Sequence, residues 1–292
     1  MDTARCRAFI ASARTGSFTR AAEELNYTTS GVSQLVTALE EDLQLHLLNR
    51  SRKGVSLTAD GERMYNAIYN FIRQEERIYQ MSADIRGLLI GEIVIAAFPS
   101  ICSAWLPEII TGFQALHPGV SIEIDDSIRS VILESLSSGK ADIGFLSDHH
   151  DLSGEYIELE RNPMVALVSH ESPYAKEETF PLAACEEAPL ILHSRGRDTD
   201  LNTIFEKNHI HPNIAYVTRN SFTGAAMAEK NMGVLIVNEL STHMWPYDLK
   251  ILPLDPPQYL SLGMVVSANA TASPAVRAFV RYVRETFRKR EI

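Results

Sequence analysis

No stretch of this chain carries the roughly 18 uninterrupted apolar residues of a membrane span. Its opening residues, MDTARCRAFIASARTGSF, hold no continuous apolar core of the kind a secretory leader needs, so a cytoplasmic location is expected. Cysteine is scarce: Cys6, Cys102 and Cys185 lie far apart, without C-x-x-C spacing or histidines at metal-ligand intervals. They read as buried or incidental thiols, with a redox role for Cys102 as the weaker alternative. Also lacking are G-x-S-x-G, a Walker-type loop, a G-x-x-G cofactor turn and H-E-x-x-H, which argues against an enzyme and against any cofactor. The run DHHD, Asp148 to Asp151, is the best metal candidate, yet adjacent histidines in a polar loop read better as surface, and no metal site is expected.

An excess of basic charge is missing too, since the formal net charge is -10, and at first sight this excludes nucleic acid. Its distribution changes the reading. Residues 1–60 balance seven basic side chains against seven acids, so the whole excess lies beyond them, and the bases include the cluster Arg50, Arg52 and Lys53. A neutral head with a local cationic cluster can meet phosphate.

What is present begins with helical spacing. Cys6, Phe9, Ile10 and Ala13 share one face of a helix ending near Gly16, and Ser17 or Thr19 can cap the next, which holds Ala21, Ala22 and Leu25. Thr28 or Thr29 can cap a third, with Val32, Leu35, Val36, Leu39 and Leu43 on its apolar face and Thr29, Ser30, Ser33, Gln34 and Thr37 nearer its polar side. Strand-like pieces over 45–49 and 54–57 follow, joined by a basic turn. A hairpin with a cationic tip directly after a helix-turn-helix is a winged arrangement. Small hydrogen-bonding side chains at the start of a projecting helix can reach base edges in a major groove, while the tip sits on flanking phosphates or in the minor groove. Three-helix modules also occur as plain packing units, and Ser or Thr at a helix start can be nothing but a cap.

From Thr58 a helical pattern runs to about Gly87, some 28 residues and so about 42 Å. Met64, Phe71, Ile78 and Ile85 recur at seven-residue intervals, a stripe suited to pairing two chains, or else to lying on the helix's own domain. Beyond Gly91 strands alternate with helices in two successive sets, which predicts two α/β lobes with largely parallel sheets and a cleft between them. Helices are expected around 104–116, 131–137, 201–208 and 222–230, and Ser273-Pro274 opens a last one.

The order of elements and the residues together resemble the LysR-type transcriptional regulators. The stretch GSFTRAAEELNYTTSGVSQLVTALEEDLQLHLLNRSRKGVSLTADGE is similar to that family's signature in Ala21, Ala22, Leu25, Val32, Ser33, Leu39, Glu40, Leu43, Leu48, Arg50, Leu57, Thr58 and Gly61. Weaker matches continue in LHPGV, SGKADIGF and AEKNMGVLIV, so the likeness spans nearly the whole chain. It departs from the family at Thr29-Ser30, Gly31 and Gln34, where Gln-Pro, Ala and Arg are frequent.

The resemblance implies a winged helix-turn-helix over 1–58, a dimerising linker helix over 59–88 and an α/β effector domain over 89–292, built like a periplasmic binding protein. Lobe 1 would take about 91–162 and 268–292, and lobe 2 about 163–267, with crossovers near Asn162 and Val266. It implies DNA contacts from Thr28, Thr29, Ser30, Ser33, Gln34, Arg50, Arg52 and Lys53. It also implies a small-molecule effector in the cleft, an anionic metabolite in many such regulators, and a homotetramer built as a dimer of dimers. RNA polymerase is the further partner such a regulator would meet. Ser100, Ile101, Cys102 and Ser103 follow the first strand and open a helix, where amides and hydroxyls can cradle an anion or simply cap. Ile128, Arg129, Arg195, Arg197, Asn220, Ser221 and Phe222 are the remaining candidate lining residues, each arginine having a solvated surface charge as its alternative. Effector binding is expected to close the cleft slightly and so change the angle between paired heads.

Overall fold

The computed structural model describes residues 1–51, 54–148, 155–192, 200–218, 220–267, 270 and 273–290. The head packs α1 (Thr3–Thr15), α2 (Phe18–Leu25) and α3 (Thr29–Leu43) around Phe9, Val32, Val36, Leu39 and Leu47, all fully buried. Short polar side chains start each helix: Asp2 accepts from Arg5 N, Ser17 from Arg20 N and Thr28 from Gly31 N. The abrupt ends are made in the left-handed region, by Gly16 after α1 and by Asn26 after α2.

A hairpin of β1 (Leu48–Ser51) and β2 (Gly54–Leu57) follows. Its first strand begins three residues later than the expected 45–49. The reason lies in α3: Leu45 N donates back to Glu40 O, and the buried Glu40 carboxylate accepts from Leu47 N at 2.7 Å and Leu48 N at 3.1 Å. Those amides close the helix end instead of a ladder.

The linker helix α4 (Ala59–Ile85) has 27 residues and is capped by Thr58, whose Oγ1 accepts from Gly61 N at 2.9 Å. Position 61 needs glycine, because a Cβ there would lie 2.1 Å from the Leu47 carbonyl oxygen. The apolar side chains of α4 divide between two faces. Ile68 and Ile72 are buried in the head's core, while Phe71, Ile78 and Ile85 are 40%, 66% and 86% exposed.

Lobe 1 comprises β3 (Gly91–Ala97), α5 (Pro99–Ala104), α6 (Leu106–Leu116), β4 (Val120–Asp126), α7 (Arg129–Ser137) and β5 (Ile143–Ser147). The helix expected over 104–116 is α6, which starts at Leu106; α5 precedes it, and the two meet at Trp105, where Pro107 lacks an N–H for the turn before it. The 13-residue β6 (Tyr156–Val168) leads into lobe 2, made of β7 (Phe180–Pro181), β8 (Leu190–Leu192), α8 (Asp200–Lys207), β9 (Ile214–Val217), α9 (Ser221–Glu229), β10 (Val234–Asn238) and β11 (Lys250–Asp255). Then β12 (Tyr259–Val266) and α10 (Pro274–Arg290) return to lobe 1.

One continuous sheet runs β4-β3-β5-β12-β6-β10-β8-β9, with β11 beside β6 and β7. Its outer parts are parallel, as expected, and its middle, β5-β12-β6-β10, is antiparallel. The chain first crosses between lobes within β6, which pairs with β12 up to Pro163 and with β10 from Met164 onward. The second crossover lies between β11 and β12, at residues 256–258, and not near Val266. Leu262, Met264 and Val265 pack in lobe 1 and β12 pairs with β5, so 259–267 belongs to lobe 1.

The linker helix docks on lobe 1 through buried charges. Arg73 donates to Asp142 and, at 3.1 Å, to Glu92; Arg77 stands 3.7 Å from Asp142, whose Oδ2 also accepts from Val94 N at 2.9 Å. Asn70 donates to Ser138 O and Ser273 to Gln80 Oε1. Burial is the largest influence on Arg73 and opposes its charge, but Asp142, Tyr69 and Glu76 together outweigh that cost and hold its pKa above the usual value; Arg77, for which burial wins, is lowered.

Candidate functional site

Two places gather polar side chains that the fold leaves accessible. The first is the start of α3. Thr28, Thr29, Ser30 and Gln34 are exposed there and Ser33 is half-buried. The Thr28 hydroxyl accepts from Gly31 N at 3.1 Å and lies 3.2 Å from Ser30 Oγ, so one of its roles is the cap. Tyr27, exposed just before the helix, is an aromatic side chain that helical spacing had not singled out. Arg50 is engaged rather than projecting. It donates to Ser33 Oγ at 3.1 Å, Thr37 Oγ1 at 2.8 Å and Glu40 Oε2 at 3.2 Å, and its guanidinium lies 5.3 Å from the Phe18 ring centre. It thereby ties the hairpin to the polar side of α3. Arg52 and Lys53, expected in the basic turn, lie outside the described residues. The hairpin's position is set at Gly54, whose φ of +126° brings it against Gly16, while Val55 N donates to Gly16 O at 2.9 Å.

The second place is a cavity of about 630 Å³ between the lobes, within the usual range of small-molecule sites. Six expected residues line it: Ser100, Ile128, Arg129, Asn220, Ser221 and Phe222. Ile101, Cys102 and Ser103 do not. Ile101 is fully buried in the lobe 1 core, and Ser103 turns its hydroxyl back to Pro99 O at 3.0 Å. The Cys102 sulfur lies 3.8 Å from Ala97 O, and burial, with Asp126 and Asp125 adding, pushes its thiol up to about 12. Such a thiol carries almost no thiolate at neutral pH, which removes the basis for a redox role. The expected cradle of amides is also filled from within, since Ile101 N and Cys102 N both donate to Phe98 O at 2.9 Å. Arg195 and Arg197, like His149, His150 and Asp151, lie outside the described residues.

Sequence spacing did not find the acidic side of the cavity, Asp126 and Asp200, or its apolar wall of Phe98, Met164, Leu201, Trp245 and Leu260. These come from both lobes and have no shared local pattern. Arg129 is 8% exposed; its Nη2 donates to Ser147 O and Oγ at 2.6 Å each and stands 3.7 Å from Asp200 Oδ1. Ser147 Oγ in turn donates to Asp200, at 2.8 and 2.9 Å from its two oxygens.

Residues 4–62 match the family described as bacterial regulatory helix-turn-helix protein, lysR family, and residues 86–288 match the LysR substrate binding domain. The uncharacterized HTH-type transcriptional regulator YvbU of Bacillus subtilis (strain 168) is 26% identical over 292 residues, 98% of this chain and 99% of its own. The HTH-type transcriptional activator CmpR of Synechocystis sp. is 30% identical over 209 residues, 70% of this chain and 68% of its own. Among solved structures, a full-length OxyR variant from Pseudomonas aeruginosa superposes with a TM-score of 0.76 at 18% identity, covering 97% of this chain and 95% of that one. CbnR in complex with its target DNA does so with a TM-score of 0.71 at 21% identity, covering 98% and 100%.

Proposed function

This chain belongs to the LysR family of DNA-binding transcriptional regulators, and from that premise we propose that it is switched by a small anionic metabolite held between its two lobes. It is a regulator and not an enzyme. The observation that carries the effector reading is the buried guanidinium of Arg129 on the wall of a cavity sized for a metabolite. In so enclosed a place a charge-assisted bond to an anion is stronger than on a surface.

In this reading the start of α3 enters the major groove. Thr29, Ser30 and Gln34 face base edges, Thr28 and Ser33 lie behind them, and the hairpin bearing Arg50, Arg52 and Lys53 lies along the flanking backbone. The relative CbnR has been seen on its target DNA, which supports this docking. Phe71, Ile78 and Ile85 pair two chains along α4, and effector domains join such dimers into a homotetramer. Ligand between the lobes resets their closure, the paired heads change their angle on DNA in the cytoplasm, and polymerase access changes with it.

The test has two stages. A thermal-shift screen of the full chain against carboxylates, amino acids, aromatic acids and phosphates should find a ligand that stabilises it by about 2.7 kcal/mol at 100 times its dissociation constant. Footprints taken with that ligand should then differ in length or pattern from those without it. Identical footprints and DNA affinities at saturation would refute the switch.

A further inference from the structure

Hydrogen-bond direction around Ser147 is fixed by its neighbours. A guanidinium can only donate and an ionised carboxylate can only accept, so the single Ser147 hydroxyl proton goes to Asp200 while its oxygen receives Arg129. The result is a relay from cation to hydroxyl to carboxylate. Ser147 is 1% exposed and Arg129 8%, so both are held by packing, whereas the Asp200 side chain keeps 19% exposure on the cavity wall.

The three residues do not belong to one lobe. Arg129 opens α7 and Ser147 ends β5, both in lobe 1, while Asp200 opens α8, which Leu201, Ile204 and Phe205 anchor in the core of lobe 2. The relay therefore crosses the cleft, and it does so with the functional group that an anionic effector would itself carry. We propose that Asp200 is an internal stand-in for the effector's carboxylate. It occupies Ser147 and Arg129 when the cavity holds no ligand, and a carboxylate-bearing metabolite binds by displacing it.

Two consequences follow. Ligand affinity is lowered by competition with a carboxylate tethered at high effective concentration, which makes Asp200 a selectivity residue that weakly held anions do not displace. Displacement also replaces a tie between the lobes by contacts to the ligand, so binding and lobe orientation are one event. This inference rests on the cavity being the effector site.

The experiment uses the full chain, its Asp200→Asn, Asp200→Ala and Arg129→Met variants, and sodium acetate and sodium benzoate as probes against sodium chloride as the ionic control. Without any probe, Asp200→Ala should speed amide hydrogen exchange in the first turns of α7 and α8 about tenfold. With probes, Asp200→Asn should respond to carboxylate at about tenfold lower concentration than the unaltered chain, and Arg129→Met should not respond. Unchanged exchange in Asp200→Ala together with unchanged or absent carboxylate binding in Asp200→Asn overturns the stand-in. Carboxylate binding that needs Arg129 but ignores Asp200 leaves the effector reading intact and removes this inference alone. Faster exchange in Asp200→Ala combined with carboxylate binding indifferent to Arg129→Met removes the anionic reading of the cavity, and the stand-in with it.

Discussion

Replacing Asp142 by asparagine attacks the dock between the linker helix and lobe 1 with almost no change of shape. Asp142 is 1% exposed and Arg73 5%, so their charges meet in a place water does not reach. Removing one partner of such a pair costs about 3–5 kcal/mol, because the other charge stays buried. Glu92 at 3.1 Å and Glu76 at 3.5 Å from Arg73 Nη1 retain part of the countercharge, which points to the lower end, about 3 kcal/mol. Arg77, 3.7 Å from Asp142, loses the same partner. At about 2–4 °C per kcal/mol for a domain of this size, thermal unfolding of Asp142→Asn should come about 6–12 °C earlier. The companion variant Arg73→Met with Asp142→Leu removes both charges, and with them the desolvation of Arg73, whose Nε is buried without a partner among the described residues. It should recover the share of the loss that Arg73 causes, while Arg77 stays without Asp142. Calorimetry on the full chain decides it. If Asp142→Asn melts within about 1 °C of the unaltered chain, or the apolar pair melts no higher than the single variant, the buried-charge argument is wrong.

Two further predictions concern other parts of the molecule. Ile78→Glu with Ile85→Glu adds charge to the exposed stripe of α4, so the assembly should fall from tetramer to dimer by light scattering while the chain's own stability changes by no more than about 0.5 kcal/mol per site; a persistent tetramer would refute pairing through this stripe. Cys102, with its thiol pushed up to about 12 from 9.0, should react with iodoacetamide at pH 8 about a thousandfold more slowly than a free thiol, with the rate climbing as pH rises toward that value. Site-resolved mass spectrometry checks this, and labelling at the free-thiol rate would refute it.

Local chemistry was the legible part of the sequence. Thr28, Thr58 and Ser17 announce helix starts because a short oxygen-bearing side chain satisfies a free amide there, and the helical spacing of α3 and α4 follows from what each face touches. β11 was not legible, since KILPLD carries a proline within the strand and no clean alternation, and its pairing partner β6 lies about 85 residues away in the chain. The same holds for the relay at the cavity. Ser147 meets Arg129 across 18 positions and Asp200 across 53, and no local pattern signals a contact between different lobes. The wing strand shifted because of Glu40, a side chain whose burial under Leu47 could not be read from its charge.

The two lobes are joined by β6, which passes from one half of the sheet to the other between Pro163 and Met164, and by the return segment at residues 256–258. The ladder of β12 with β6 lies wholly in lobe 1 and that of β10 with β6 wholly in lobe 2, so under the proposed switch the lobes turn about the two crossover segments with both ladders kept. The stroke of such a turn is angular. Under the proposed switch its mechanical gain would come from the 27-residue α4, about 40 Å long. Ten degrees applied at one end moves the other by about 7 Å, roughly two base-pair rises along a DNA duplex.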